Sequence, residues 1–267
     1  FALFPPPEPA PRETVAQEQL VPPPAQTTGD GVADASMADE TATGTVRVDI
    51  DSRRLTGTIA LTGGRIDDLQ LRDYRETTAP GSDIVHLLNP VGGNREPFYA
   101  LYGWSPRGAL GTDHVPGPNT VWDQVGGNTL TTDSPVTLRW DNGQGLVFTR
   151  TISIDDNYLF TVDQSVENQT DAPVSLDPYG ILAQHGLPSD LENFFISHEG
   201  MIQMADGSLT EDSYKNMRGY RQSDTERTPA SVTHVAADGW IGLTGKYFMA
   251  ALIGAPGQGF TAVSQYV

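Results

Sequence analysis

Hydrophobic and polar residues alternate along most of the chain after residue 45. The alternation runs through residues 45–50 and 55–61, and it resumes over residues 66–71 with one slip that indicates a β-bulge. A period of two places every second side chain on the same face of an extended strand. These stretches therefore predict half-buried β-strands joined by tight turns.

The middle of the chain has the clearest hairpin pattern. Apolar residues occupy alternate positions in residues 146–154 and again in residues 158–166, and the sequence Asp-Asp-Asn separates the two runs. Asn157 suits a left-handed turn conformation. Another strand is predicted over residues 135–140, because the Asp-Asn-Gly sequence that follows it is typical of a hairpin turn.

Helical patterns are scarce. One turn of helix is expected near Ser189 and Asp190, which are suitable N-cap residues, but no long amphipathic stripe occurs. Many short strands separated by turns indicate an antiparallel sandwich or barrel. The predicted fold class is therefore all-β with little helix.

Residues 238–254 form the most apolar stretch of the chain and raise the question of a membrane span. A spanning helix needs about 20 apolar residues, whereas this run is shorter and is interrupted by glycines and by Lys246. Residues 244–246 are more typical of a tight turn between two strands, 240–243 and 247–253. The shortness of the apolar run and the glycines and lysine that interrupt it thus favour a buried sheet over a membrane anchor.

Three aromatic residues in this stretch are expected to anchor the core: Trp240, Tyr247 and Phe248. Lys246 lies in the predicted turn and is expected to face solvent.

Residues 1–43 differ in composition from the rest. They hold two clusters of three prolines, several acidic residues and one basic residue, Arg12. Such a segment cannot bury enough apolar surface to offset the entropy lost on ordering, and its prolines favour an extended conformation. We expect a disordered, semi-stiff tether over residues 1–43 and a folded domain over residues 44–267.

Composition excludes several classes of function. The 267-residue chain has a formal net charge of −18 and no cysteine. Nucleic-acid binding rests on clustered Lys and Arg, which this chain lacks. Without cysteine there is no disulfide framework, no cysteine-ligated zinc site and no thiol nucleophile.

Candidate catalytic groups are few. Among the five histidines, His198 directly precedes Glu199, but neighbours on a strand point to opposite faces. His185 lies beside a glycine, which suggests a loop. The sequence has no HExxH motif, no EF-hand loop and no GxSxG motif. We therefore predict no catalytic site, no metal site and no cofactor.

An aromatic cluster in residues 95–108, joined by one later tryptophan, is the best candidate for a binding surface. These side chains either line a groove for an extended peptide or a partner loop, or close one end of the core. The core interpretation is favoured. The candidate groove residues are Phe98, Tyr99, Tyr102, Trp104 and Trp122.

Several stretches together resemble one protein family. They are the proline-rich start FALFPPPEPAP, then GGRIDDLQLRDY (63–74), GLVFTRTISIDDNYLFTVDQSVENQ (145–169), EGMIQMADGSLTE (199–211) and GWIGLTGKYFMAALI (239–253). In this order they are similar to the large periplasmic domain of the bacterial YidC membrane protein insertases. The resemblance covers most of the chain from about residue 45 onward.

The resemblance implies a β-supersandwich similar to that of galactose mutarotases, located between the first two transmembrane helices of an inner-membrane protein. It implies a non-catalytic interaction domain on the periplasmic face, which assists membrane protein insertion and folding. The implied partners are SecDF, the Sec translocon and translocating membrane-protein substrates. The inserting membrane core is expected downstream of Val267, and the flanking transmembrane helices are absent from this chain.

An alternative from the same fold is a carbohydrate-binding or aldose-epimerase-like supersandwich protein. Such an epimerase needs a His acid and a Glu base that face one cleft across the sugar ring. Fold analogy alone does not establish that chemistry.

The last residues, 257–267, start at a glycine turn and alternate over 260–267 as a strand with apolar residues on both faces. No earlier stretch is an obvious partner for this strand. We therefore expect the fold to continue beyond Val267. A chain ending there is expected to be less stable and more prone to self-association than a longer one, because an uncovered strand edge pairs with other chains.

Overall fold

The structure, a computed structural model, describes residues 46–188, 198–246 and 248–267. The expected tether and the expected helical turn near Ser189 lie outside the described residues. Within them the chain forms many strands and very little helix, so the predicted all-β class is confirmed. The strands are β1 (Arg47–Asp51), β2 (Leu55–Ala60), β3 (Arg65–Arg75), β4 (Ile84–Leu88), β5 (Phe98–Pro106), β6 (Asp123–Gly126), β7 (Thr129–Leu130), β8 (Val136–Asp141), β9 (Leu146–Ile154), β10 (Phe160–Asn168), β11 (Leu176–Gln184), β12 (Gly200–Ala205), β13 (Ser208–Ser213), β14 (Ala230–Val235), β15 (Gly239–Thr244), β16 (Met249–Ile253) and β17 (Phe260–Gln265).

Two sheets form a sandwich. The larger has the order β11-β5-β3-β2-β1-β7, with β4 paired to β3, and the smaller has the order β10-β9-β8-β6. Neighbouring strands are antiparallel except β1 and β7. Alternate residues of both sheets meet in one buried cluster, for example Ile50 and Ile59 from the first sheet with Leu138 and Phe148 from the second. The period-two pattern thus places the core between the sheets.

The predicted hairpin in the middle of the chain is confirmed, with β9 and β10 paired in register from Leu146 to Asn168. The turn differs in detail, because the residue with positive φ is Tyr158 (φ 71°) rather than Asn157. The Asp155 carboxylate accepts hydrogen bonds from the backbone N–H groups of Asn157 (2.7 Å) and Leu159 (2.8 Å). This side-chain cap fixes the turn and moves the left-handed position one residue on. The predicted bulge is also confirmed: Thr58 pairs with Asp68 and Ile59 with Ile66, so Asp67 is the extra residue on β3.

A third sheet has the order β13-β12-β15-β16. One of its faces packs on a second buried cluster, made of Met201, Tyr214 and Met217, with Ile241 and Leu243 against it. Tyr214 and Met217 lie on the short helix α1 (Tyr214–Met217), where the Ser213 hydroxyl accepts a hydrogen bond from the N–H of Asn216 (3.3 Å). The sheet therefore has an inner face on this cluster and an opposite, outer side.

The final strand has a partner, which corrects the expectation drawn from the sequence. β17 pairs with β14 along its whole length, from Phe260 opposite Val235 to Gln265 opposite Ala230. Ala262 and Ser264 of this strand are buried. Among the described residues, no helix has the length and apolar character needed to span a membrane.

Candidate interaction site

Most of the aromatic residues proposed for a groove lie in the core. Tyr99, Trp104 and Trp122 are buried, while Phe98 and Tyr102 are half-buried and pack against the sandwich core. The ring of Trp104 stacks near that of Trp122, with centroids 6.3 Å apart. The peptide-groove hypothesis is therefore wrong for the three buried rings, since they line no exposed surface. The core alternative describes them.

A buried arginine lies among these rings. Arg150 occupies an inward position of β9, between Phe148 and Ile152 in the alternation. Its guanidinium donates hydrogen bonds to the carbonyl oxygens of Gly64 (3.0 Å) and Tyr102 (2.5 Å). Burial lowers the pKa of Arg150 to about 10. In the sequence, only the alternation of β9 indicates that this position faces inward; no motif singles it out.

Gly64 explains how the arginine fits. Its φ is +61°, and a Cβ there would overlap the Arg150 guanidinium. Only glycine combines that backbone conformation with that close approach. The arginine therefore ties the two sheets together and has a structural role.

A second buried charged group lies on the other side of the large sheet. The Asp67 carboxylate pairs with Arg47 and lies 3.7 Å from the guanidinium of Arg65. Burial raises the pKa of Asp67, and the two arginines act against that rise. Both oxygens of Asp67 thus face cations, an arrangement that holds the strands together rather than one that leaves a free base.

Four of the five histidines have local hydrogen-bond partners. His185 lies 3.2 Å from the Tyr99 hydroxyl, and His198 lies 2.8 Å from the Met201 carbonyl oxygen. No hydrogen bond joins a histidine to a glutamate in the described parts of the chain, and those parts hold no cluster of metal-ligating side chains.

The apolar stretch forms the predicted hairpin, in which β15 pairs with β16. Phe248 is half-buried, packs against the sandwich core and meets Tyr74 edge to face, with centroids 5.4 Å apart. Trp240 is half-buried and belongs to neither core cluster. Lys246 is half-buried in the turn, and Tyr247 lies outside the described residues.

Trp240 instead marks an apolar surface on the third sheet. Strand register places Leu209, Met204, Trp240 and Ile253 opposite one another in one row across all four strands. Leu209 is 53% exposed and Ile253 is 64% exposed. Directly opposite residues share a face, and the alternate residues of these strands pack inward. We call this surface the outer face; its principal residues are Ile202, Met204, Leu209, Glu211, Trp240 and Ile253.

The charged residues on and beside the outer face are all acidic. Glu211, opposite Ile202, is the only charged residue that its strands contribute to this surface. Asp206 and Asp238 lie in turns beyond the strand ends, two residues along the chain from Met204 and Trp240 respectively. The Asp206 carboxylate accepts hydrogen bonds from the N–H groups of Ala236 (2.7 Å) and Ala237 (3.0 Å), and these bonds lower its pKa. The surface can therefore offer an apolar row beside fixed negative charge.

Comparison with known proteins gives one consistent result. Residues 47–266 match the family described as the YidC periplasmic domain. The chain is similar to "Membrane protein insertase YidC" of Cereibacter sphaeroides, with 51% identity over 100% of this chain and 43% of the relative. It is also similar to the protein of that name from Dinoroseobacter shibae, with 48% identity over 100% of this chain and 45% of the relative. The chain spans less than half the length of these curated relatives.

The family match includes all seventeen strands of the described fold, from β1 to β17. The identity extends along the whole chain rather than through one motif. The chain therefore belongs to the family of YidC periplasmic domains.

Proposed function

We propose that the chain is a non-catalytic interaction domain of a membrane protein insertase, acting on the periplasmic side of the inner membrane. The observation that carries this proposal is the family match over residues 47–266. The relatives are named membrane protein insertases, and this chain corresponds to less than half of each of those proteins. The domain's part in insertion is to contact other proteins, with SecDF and the Sec translocon as partners.

The absence of catalysis belongs to the same proposal. Four of the five histidines, His114, His185, His198 and His234, are engaged by an aspartate, a tyrosine, a backbone carbonyl and a threonine. The buried acid Asp67 is paired with arginines. These contacts support an interaction role better than acid–base chemistry on a sugar.

Co-purification tests the interaction role. The full-length insertase that contains this domain is tagged, and a variant lacking residues 46–267 is compared with it at equal abundance in membranes. We expect SecDF and the translocon to co-purify with the intact protein and to be depleted severalfold from the variant. Equal recovery of the Sec proteins with both would contradict the proposed role.

An optical-rotation assay tests the alternative. Freshly dissolved α-galactose is mixed with the 267-residue chain, and we expect mutarotation at the uncatalysed rate. Acceleration that disappears in His185→Ala or His198→Ala would establish an epimerase and overturn the proposal.

A further inference from the structure

We propose that the outer face binds an apolar polypeptide segment that carries basic residues. The inference rests on the proposed function for the source of such a segment, a membrane protein under insertion. The surface itself is argued from the strand register, the exposure and the charges of the third sheet.

Apolar exposure on the outer face is concentrated rather than scattered. Leu209, Met204, Trp240 and Ile253 form one row, and Met249, also exposed, is on the same side of β16 as Ile253. Single exposed apolar residues are ordinary on soluble proteins, whereas contiguous apolar surface marks interaction sites. A half-buried tryptophan within the row suits a binding hot spot, since Trp is enriched there.

The shape favours an extended or helical segment laid across the strands. The row crosses all four strands, so its length is about three interstrand spacings of about 4.8 Å each. Gly242 and Ala251 occupy the neighbouring row beside Ile202. Gly242 is buried and Ala251 is half-buried, so the exposed apolar surface lies in the first row and at Met249.

Charge selects among the possible occupants. Glu211 lies on the face, Asp206 and Asp238 lie in turns beside the row, and the whole chain has a net charge of −18. A second copy of this chain would bring like charges together, and an anionic lipid surface would also be repelled. An apolar segment with Lys or Arg can pack on the apolar row and also pair with the acidic residues.

Segments of membrane proteins supply the apolar part of this composition. Their Lys and Arg are enriched at the cytoplasmic ends, on the side of the membrane opposite to a periplasmic domain. The segments that the acids select are therefore those that carry a basic residue at the periplasmic end. The outer face therefore fits a segment in transit better than it fits a folded, acidic protein.

Peptide binding to the 267-residue chain tests this inference. The probe is a fluorescent peptide of leucine and alanine with lysines at both ends, and the reference peptide has glutamates in place of the lysines. We expect the lysine peptide to bind and the glutamate peptide to bind at least about tenfold more weakly, which is about 1.4 kcal/mol. Fluorescence anisotropy reports both affinities.

Matched variants locate the site. Leu209→Ser and Ile253→Ser remove apolar groups that are 53% and 64% exposed, while the controls Val125→Ser and Val121→Ser do so at 56% and 63% exposure elsewhere. We expect weaker peptide binding by about tenfold for the first pair and unchanged binding for the controls. Circular dichroism melts establish that all four variants are folded.

Charge reversal completes the test. Glu211→Lys should weaken binding of the lysine peptide and strengthen binding of the glutamate peptide. Two results would overturn the inference. One is a peptide affinity that Leu209→Ser and Ile253→Ser leave unchanged. The other is the absence of peptide binding together with self-association, or with binding to anionic vesicles, that is lost in Ile253→Ser. Co-purification of SecDF would be unaffected by such a failure, so this test and that of the proposed function are separable.

Discussion

The guanidinium carbon of Arg150 lies 4.6 Å from the ring centroid of Trp122, and both side chains are buried between the sheets of the sandwich. No carboxylate in the described residues forms an ion pair with this arginine. Backbone carbonyl groups and aromatic faces stabilise the buried cation instead. The delocalised charge of a guanidinium suits this environment better than the compact charge of an ammonium.

Arg150→Lys is therefore expected to destabilise the fold by about 2–4 kcal/mol, because one ammonium cannot replace both hydrogen bonds and leaves a buried acceptor unpaired. Arg139, on the neighbouring strand, is exposed and pairs with Asp141 at 3.1 Å. Arg139→Lys should change stability by no more than about 0.5 kcal/mol. Denaturant unfolding of both variants measures the contrast, and similar losses would show that Arg150 is not a specific link.

Truncation of aromatic side chains should separate core from surface. Phe148→Ala is expected to cost about 3–5 kcal/mol, since Phe148 is fully buried in the sandwich core. Trp240→Ala should cost clearly less, because Trp240 is half-buried and belongs to neither core cluster. Equal losses in denaturant unfolding would mean that Trp240 is a core anchor after all.

Local patterns predicted the strands and hairpins well. The alternation in β9 and β10 and the turn between β15 and β16 lie within a few residues of each other along the chain, so a period of two is enough to identify them. β14 was missed because its sequence, ASVTHV, is short and mostly small or polar. The partner of β17 therefore remained unseen.

The outer face could not be predicted from local sequence patterns. It depends on β12 lying between β13 and β15, although β14 and a helix intervene in sequence between β13 and β15. The apolar residues of β15 and β16 fit either a buried or a half-exposed hairpin. Only the order of the strands shows that Trp240 and Ile253 lie away from the second core cluster. The position of Arg150 was predictable as inward, but its aromatic and carbonyl surroundings come from distant strands.

Asp206 should contribute to acid sensitivity. Backbone N–H groups of residues 236–238 lower its pKa, so its ionised form is more favoured in the folded state than in the unfolded chain. Its contribution to stability is present above the unfolded value of about 3.9 and is lost as the pH falls through the lowered folded pKa. Asp206→Asn should remove that part of the acid loss, as measured by unfolding across this range. An unchanged pH profile would contradict this role.

Asp141 provides an independent second case. The N–H of Gly143 lowers the pKa of its carboxyl group in the same way. The two sites lie on different sheets, so Asp141→Asn and Asp206→Asn should flatten the acid profile additively. A double variant with the profile of either single variant would show that one carboxylate dominates.

Tyr220 should contribute to alkaline sensitivity. Burial, together with the nearby Asp212 carboxylate, raises the pKa of Tyr220 to about 12. The unfolded chain loses this proton near pH 10, so the stability that it contributes declines as the pH rises from there to about 12. Tyr220→Phe should show a smaller decline over this window in pH-dependent denaturant unfolding. A parallel decline would rule out Tyr220 as a source. The buried Arg150 acts with the opposite sign at alkaline pH, but it is common to both proteins and cancels in their difference.

Site-specific photo-crosslinking in living cells can detect an inserting polypeptide on the outer face. A photoreactive residue is placed at Ile253 or at Val121 of the full-length insertase, two positions with 64% and 63% exposure, while a membrane protein is being synthesised and inserted. We expect adducts between position 253 and the inserting polypeptide, reduced by Glu211→Lys, and few or none from position 121. Equal adducts from both positions, or none from position 253 while insertion proceeds normally, would contradict binding of the inserting polypeptide to the outer face.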